Sequence, residues 1–195
     1  MIVAALGGLL TMAFHPTAEG LLVAADPSLA RRGNQAVHLL GIVSVLAMLH
    51  GTIGLTNALF GHRPGLVRTN LIAAGAAAAF ASLAAIASGF VASSLLASGD
   101  RDSAAWRANA ATNQASAALF VVAFAVTVVV SSWFGRGRLP RWLSAFGLGS
   151  SVLLLAALLL GHLRLGVHGF GVVVVAQSVW MFGTARVLWR GALRS

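Results

Sequence analysis

The stretch ANAATNQASAALFVVAFAVTVVVSSWF, residues 108–134, carries no charged side chain, and its second half is apolar on every side. A helix needs about 20 such residues to cross the hydrocarbon core of a bilayer. Backbone polar groups inside lipid must be satisfied within the chain, so spanning segments are helices or closed barrels. Barrel strands alternate apolar and polar residues, and this stretch does not. It therefore predicts a transmembrane helix.

The composition of the whole chain indicates a membrane protein. Of its 195 residues, 58% are hydrophobic and 9% are charged, and the mean hydropathy is +0.90. A soluble domain carries about 25% charged residues, because it must cover its surface with groups that water solvates. The sequence contains no cysteine and no tyrosine. Disulfides, thiolate ligands and phenolic proton donors are therefore excluded.

Further apolar stretches resemble the first, and together they predict an all-α, polytopic integral membrane protein. We expect a bundle of six transmembrane helices in a single domain, residues 1–195. The predicted spans are 2–22, 37–60, 66–97, 108–134, 143–163 and 168–189. The third is rich in Ala and Gly at four-residue spacing, which predicts a central, closely packed helix.

The first predicted span has an alternative interpretation. It continues past Pro16 only if the helix kinks there, and it ends close to the small residues Ala24 and Ala25. A cleaved signal peptide would have this pattern of small residues. However, no basic residue precedes the apolar stretch, and Glu19 interrupts it. We therefore expect a transmembrane helix at this position.

Arginine defines the expected orientation. The net charge is +9, and every basic residue is Arg. Most of them lie in regions that contain no acid: Arg63, Arg68, Arg136, Arg138, Arg141, Arg186, Arg190 and Arg194. The four acids, Glu19, Asp26, Asp100 and Asp102, all lie in the alternate regions. Because cytoplasmic regions carry the excess of basic residues, the pattern predicts a cell-membrane protein with both termini cytoplasmic. The arginines then determine the orientation of the chain in the membrane, and nucleic acid is not an expected partner.

Four of the six histidines fall at one depth in this topology. His15 ends the first span and His38 begins the second, while His162 and His168 flank the connection between the fifth and sixth. All four lie on the outer side. Polar side chains in membrane helices are costly and usually face the bundle interior or a water-filled cavity. The shared depth therefore predicts one common site.

Imidazole is a good ligand for Zn, Cu and Fe, and helical bundles hold cofactors between facing helices. We expect a haem b or a transition-metal ion (Cu, Zn or Fe) bound by His15, His38, His162 and His168. Glu19 follows His15 by four residues and shares its face if that stretch is helical, so it would complete the ligand set of a metal. Amide side chains at the same depth would give polar support: Asn34, Asn109, Asn113 and Gln114.

The leading functional hypothesis is a membrane protein that binds this cofactor at the non-cytoplasmic side, as a redox subunit or an enzyme. For each histidine taken singly, the alternative is an interfacial residue at a helix end. A second hypothesis is a small-molecule transporter or ligand-binding protein, with an inner path lined by His50, Asn57 and Gln177. A third is a structural subunit of a membrane complex, which would bind another membrane protein or a second copy of the chain.

Overall fold

The computed structural model describes residues 1–16, 26–99 and 103–191, and within these ranges the secondary structure is helical, without strands. This confirms the all-α fold class. The helices, numbered here in chain order, are α1 (Ile2–Ala13), α2 (Pro27–Phe60), α3 (Pro64–Ala97), α4 (Ala104–Phe134), α5 (Arg141–Leu159) and α6 (Val167–Trp189).

Polar residues and prolines fix where the long helices begin. The carboxylate of Asp26 accepts hydrogen bonds from the backbone N–H groups of Ser28 and Leu29, at 2.9 and 3.0 Å, and Pro27 occupies the first turn. These bonds lower the pKa of Asp26, because they stabilise the charged carboxylate. Proline also begins α3 at Pro64, where its missing N–H costs no hydrogen bond. These caps explain why α2 begins ten residues before its predicted apolar span at 37.

Five of the helices, all except α1, are long and apolar enough to cross a membrane. Helix α1 has 12 residues, about 18 Å at 1.5 Å per residue, which is short of a hydrocarbon core of about 30 Å. The predicted first span of 2–22 therefore ends early, at Ala13, and its remaining residues from 17 onward lie outside the described ranges. The structure supports five membrane-length helices, and a sixth full span is not confirmed.

The helices alternate in direction, so the connections gather at two ends of the bundle. We call the end that carries His15 and His38 the histidine end. The opposite end, where α2 joins α3 and α4 joins α5, is the arginine end. At the arginine end, Arg138 donates hydrogen bonds to the backbone carbonyls of Ala58 and Leu59, at 2.8 and 3.2 Å. This contact ties the α4–α5 connection to the end of α2.

Helix α4 is the most enclosed of the five membrane-length helices, and α3, which was predicted to pack centrally, is less enclosed. In its most apolar stretch, 56% of α4 is buried, compared with 39% of α3. The small residues of α3 do bury one face against α4, including Ala74, Ala77 and Ala81. However, a side chain added at Gly75 would meet nothing within 4 Å. The small residues at four-residue spacing therefore indicate only the face of α3 that packs closely. The centre of the bundle is filled by aromatic residues of α4 such as Phe120 and Phe124.

Small residues let α1 lie directly on α2. A Cβ at Gly7 would overlap the side chain of Ser44, and a Cβ at Gly41 would lie 3.3 Å from Thr11. On its other side α1 packs against α6, where Ser178 donates a hydrogen bond to the carbonyl of Ala5 at 3.4 Å. These contacts align α1 with both neighbours and place His15, just beyond its end, at the level of His38.

Candidate functional site

The structure brings His15 and His38 into direct contact. Their Nε2 atoms lie 3.2 Å apart, and the ring centroids are 4.8 Å apart with an angle of 68° between the planes. His38 is buried, with 4% of its surface exposed, and His15 is partly buried. The two rings come from α2 and from the residues that follow α1, so the pair joins two segments of the bundle.

Hydrogen bonds to the other ring nitrogens determine the chemistry of this pair. His15 Nδ1 lies 2.9 Å from the carbonyl oxygen of Pro16, and His38 Nδ1 lies 2.8 Å from that of Asn34. A carbonyl can only accept, so each Nδ1 carries the hydrogen. In the neutral rings both Nε2 atoms are then acceptors that face each other. A cation between them, either a shared proton or a metal ion, would satisfy both acceptors.

A π-helical turn in α3, Ala87–Val91, packs directly against His38. Such turns occur frequently at functional sites. Asn109 donates to the carbonyl of Ala87 at 3.0 Å, and Asn34 donates to the carbonyls of Ser88 and Gly89 at 3.3 and 3.4 Å. Two of the predicted supporting amides therefore satisfy this turn.

Beside the histidine pair lies a cavity of about 620 Å³. It is lined by residues of α1, α2, α3, α4 and α6, and of the segment that precedes α6. Along α4 the lining runs from Trp106 to Phe120, and along α6 from Val167 to Met181. Each interval corresponds to about 21 Å at 1.5 Å per residue. The cavity is therefore elongated along the helices and reaches from the histidine end into the middle of the bundle.

The two halves of the cavity differ in polarity. Near the histidine end the lining includes the histidine pair and the amides of Asn34, Asn109, Asn113 and Gln114. Toward the middle it consists mainly of small and apolar side chains, among them Ala4, Met48, Ala81, Phe120 and Met181. A volume between about 300 and 1,000 Å³ is typical of sites for small ligands and cofactors. The shape and polarity suit a long, mainly apolar molecule.

His162 and His168 do not join the pair. Both side chains are exposed, and neither lines the cavity. Helix α5 does not contribute to the cavity wall, and His162 lies just beyond its end. Within the described ranges, no group of three or more His, Asp or Glu residues is arranged to hold a metal. Glu19, the predicted carboxylate ligand, lies outside those ranges.

The predicted inner path is also not formed. His50 and Asn57 are exposed on α2 and do not line the cavity, whose lining on that helix ends at Met48. Only Gln177, on α6, lies at the cavity wall as that hypothesis requires. Most residues of α2 near His50 are apolar, so hydropathy alone does not show which face of the helix is buried, and the structure turns His50 away from the bundle.

No family model, curated protein or solved structure matches this chain. The function must therefore be inferred from the site itself.

Two features of the site were not predicted from the sequence. The first is Gly89, which lies directly against the ring of His38 and leaves no room for a Cβ. The second is the π-turn that carries it. The Ser88–Gly89 pair interrupts an alanine-rich helix and is the one local signal that could have marked this position. A π-turn has no sequence pattern of its own, because it depends on contacts with neighbouring helices.

Proposed function

We propose that this chain is a multi-pass membrane protein that binds a transition-metal ion between His15 and His38, on the outer side of the membrane. The observation that carries the proposal is the 3.2 Å distance between two Nε2 atoms whose lone pairs face each other. Backbone carbonyls hold both Nδ1–H groups. Metal-binding histidines are oriented by this kind of second hydrogen bond.

The distance between the two nitrogens favours a tetrahedral ion. Two nitrogens that each lie 2.0–2.1 Å from one tetrahedral ion are separated by about 3.3–3.4 Å. On opposite sides of an ion the same bond lengths would separate them by about 4.0–4.2 Å. The observed 3.2 Å is close to the tetrahedral value. Zn, Cu and Fe are the metals that imidazole suits best.

Two imidazoles leave coordination positions open. Glu19, four residues after His15, is the proposed third protein ligand. Substituting Glu19 by Gln tests this role. A position that remains open to water or to a molecule in the cavity distinguishes a catalytic metal site from a structural one. The proposed centre is therefore one that acts on, or is regulated by, the occupant of the cavity.

Haem b is the second candidate, and it is favoured by two observations. The cavity beside the pair is large and mostly apolar, and a haem needs only two ligands from the protein. Because the axial nitrogens of a haem lie on opposite sides of the iron, the Nε2 atoms would have to separate by about 0.8–1.0 Å, taking metal–nitrogen bonds of 2.0–2.1 Å. A haem would also have to lie between the two rings, so His15, which lies beyond the end of α1, would have to move away from His38 as a whole ring.

The proposal places the protein in the cell membrane with both termini on the cytoplasmic side. The described arginines of the arginine end include Arg63, Arg136 and Arg190, and Trp133 and Trp142 are exposed near them. Tryptophan is enriched where a membrane meets water, and cytoplasmic segments are enriched in arginine. The histidine pair then lies toward the outer surface.

Metal analysis of the purified protein tests the proposed function. The wild-type protein should retain about one equivalent of a first-row metal and lose it in both His15→Ala and His38→Ala. His62→Ala is the matched control, because His62 is exposed at the arginine end. Equal metal content in all four proteins would contradict the proposal. A Soret band that disappears in His38→Ala would identify the cofactor as haem.

A further inference from the structure

The side chain of Gln177 lies in an unusual environment for an amide. It is buried, with 7% of its surface exposed, and it lines the apolar half of the cavity. Within the described residues it has no hydrogen-bond partner, whereas Asn34, Asn70 and Asn109 all bond to neighbouring helices. An amide in an apolar wall is stabilised when it gains a hydrogen-bond partner. A molecule that occupies the cavity is the natural partner.

The depth of Gln177 follows from the contacts between α1 and α6. The neighbouring residue, Ser178, donates a hydrogen bond to the carbonyl of Ala5. Helix α1 then rises from Ala5 to Ala13, about 12 Å at 1.5 Å per residue, and His15 follows two residues later. Gln177 therefore lies at least about 12 Å deeper in the bundle than the histidine pair.

We propose that the cavity binds an elongated, lipid-soluble molecule that carries an oxygen function at each end. One oxygen lies at the histidine end, next to the His15–His38 pair and the amide of Asn113, which also has no hydrogen bond within the described residues. The other oxygen bonds to the amide of Gln177. The apolar chain between them contacts the wall formed by residues such as Ala81, Ala84 and Phe120.

This inference names the ligand class for the proposed metal centre but depends on it only in part. With a metal ion bound, the outer oxygen of the ligand occupies an open coordination position. Without one, it accepts a hydrogen bond from the amide of Asn113. The contact with Gln177 is the same in both cases, so the two proposals can fail separately.

A series of α,ω-alkanediols and matching mono-alcohols measures the spacing of the two polar positions. Equilibrium binding of the tritiated compounds is measured with the full chain in nanodiscs, and partitioning into empty nanodiscs is subtracted. At one chain length the wild-type protein should bind the diol about fivefold more tightly than the mono-alcohol, the value of one neutral hydrogen bond. Shorter and longer diols should lose this advantage.

Substitution of Gln177 by Met tests the inner contact, since Met is of similar length and apolar. The diol and the mono-alcohol should then bind equally. Gln35→Met is the matched control, because Gln35 lies on α2 outside the cavity lining, and it should keep the preference. The proposal is overturned if the wild-type protein shows no preference for diols or if the preference survives in Gln177→Met.

Metal content is measured on the same samples. A diol preference in protein without metal would contradict the proposed metal centre and support the ligand site. Bound metal without a diol preference would support the metal centre and contradict the ligand site. A Soret band would overturn the ligand site, because a haem would fill the cavity.

Discussion

Gly89 lies so close to His38 that a Cβ at residue 89 would overlap the imidazole ring. The π-turn at Ala87–Val91 produces this contact by carrying the glycine toward α2. Asn34, one turn before His38 on α2, donates a 2.9 Å hydrogen bond to the hydroxyl of Ser93, which follows the turn. The position of His38 is therefore set by the backbone of α3 as well as by α2.

Substituting Gly89 by Ala should displace the ring of His38. Overpacking of a buried site typically costs about 1–3 kcal/mol, so the melting temperature should fall together with metal retention. Gly75→Ala is the control on the same helix, since an added Cβ there meets nothing within 4 Å. Thermal unfolding and metal analysis of the two variants check this. Unchanged metal content in a folded Gly89→Ala protein would show that the contact does not position His38.

Substituting Asn34 by Ala should loosen the π-turn while leaving both histidines in place. Asn34 is buried, and its amide donates hydrogen bonds to the carbonyls of Ser88 and Gly89. Loss of a buried partner costs about 1–3 kcal/mol, and we expect weaker metal binding as well. Asn57→Ala, at an exposed site on the same helix, should change neither property. Equal metal affinity in the two variants would argue that the turn is only structural.

A second polar cluster near the arginine end should contribute to stability and not to the site. Asn70 is fully buried, and its amide donates to the hydroxyls of Thr56 and Ser131, at 2.7 and 3.2 Å. Hydrogen bonds between membrane helices contribute about 0.6 kcal/mol on average and at most about 1.7. Asn70→Ala should therefore lower the melting temperature modestly and leave metal content and diol binding unchanged. A loss of metal in this variant would extend the site beyond the cavity.

Reporter fusions test the proposed orientation. Fusions after Arg68, Arg138 and Ser195 should report a cytoplasmic location, and fusions near Asp26 and Asp102 an external one. The reason is the excess of arginine at one end of the bundle. An external signal after Arg138 would place the histidine pair on the cytoplasmic side. The pair and the cavity would be unaffected, because their geometry does not depend on the orientation.

Hydropathy predicted the helical fold, because segments such as 108–134 are apolar over their whole length. It located the apolar part of each helix but not the residues at which the helix begins and ends. Helix α2 therefore begins at Pro27, where Asp26 caps a polar first turn, and α1 ends at Ala13. In both cases the boundary depends on local caps and turns rather than on hydropathy.

The shared depth of His15 and His38 predicted that they lie at one end of the bundle. It could not predict the direction of each ring, because helices that are apolar on all sides offer no preferred face. This is why His50 was expected inside and lies exposed. The contact between α3 and His38 could not be predicted either, since it depends on carbonyls of α3 that accept hydrogen bonds from residues of α2 and α4.

X-ray absorption at the edge of the copurified metal tests the central claim most directly. We predict scattering from two imidazole rings, with metal–nitrogen distances of about 2.0–2.1 Å, and scattering from a single ring in His15→Ala protein that is reloaded with the metal. A metal without imidazole ligands, or a spectrum that is the same in the wild-type and His15→Ala proteins, would contradict the claim that a metal ion joins His15 to His38.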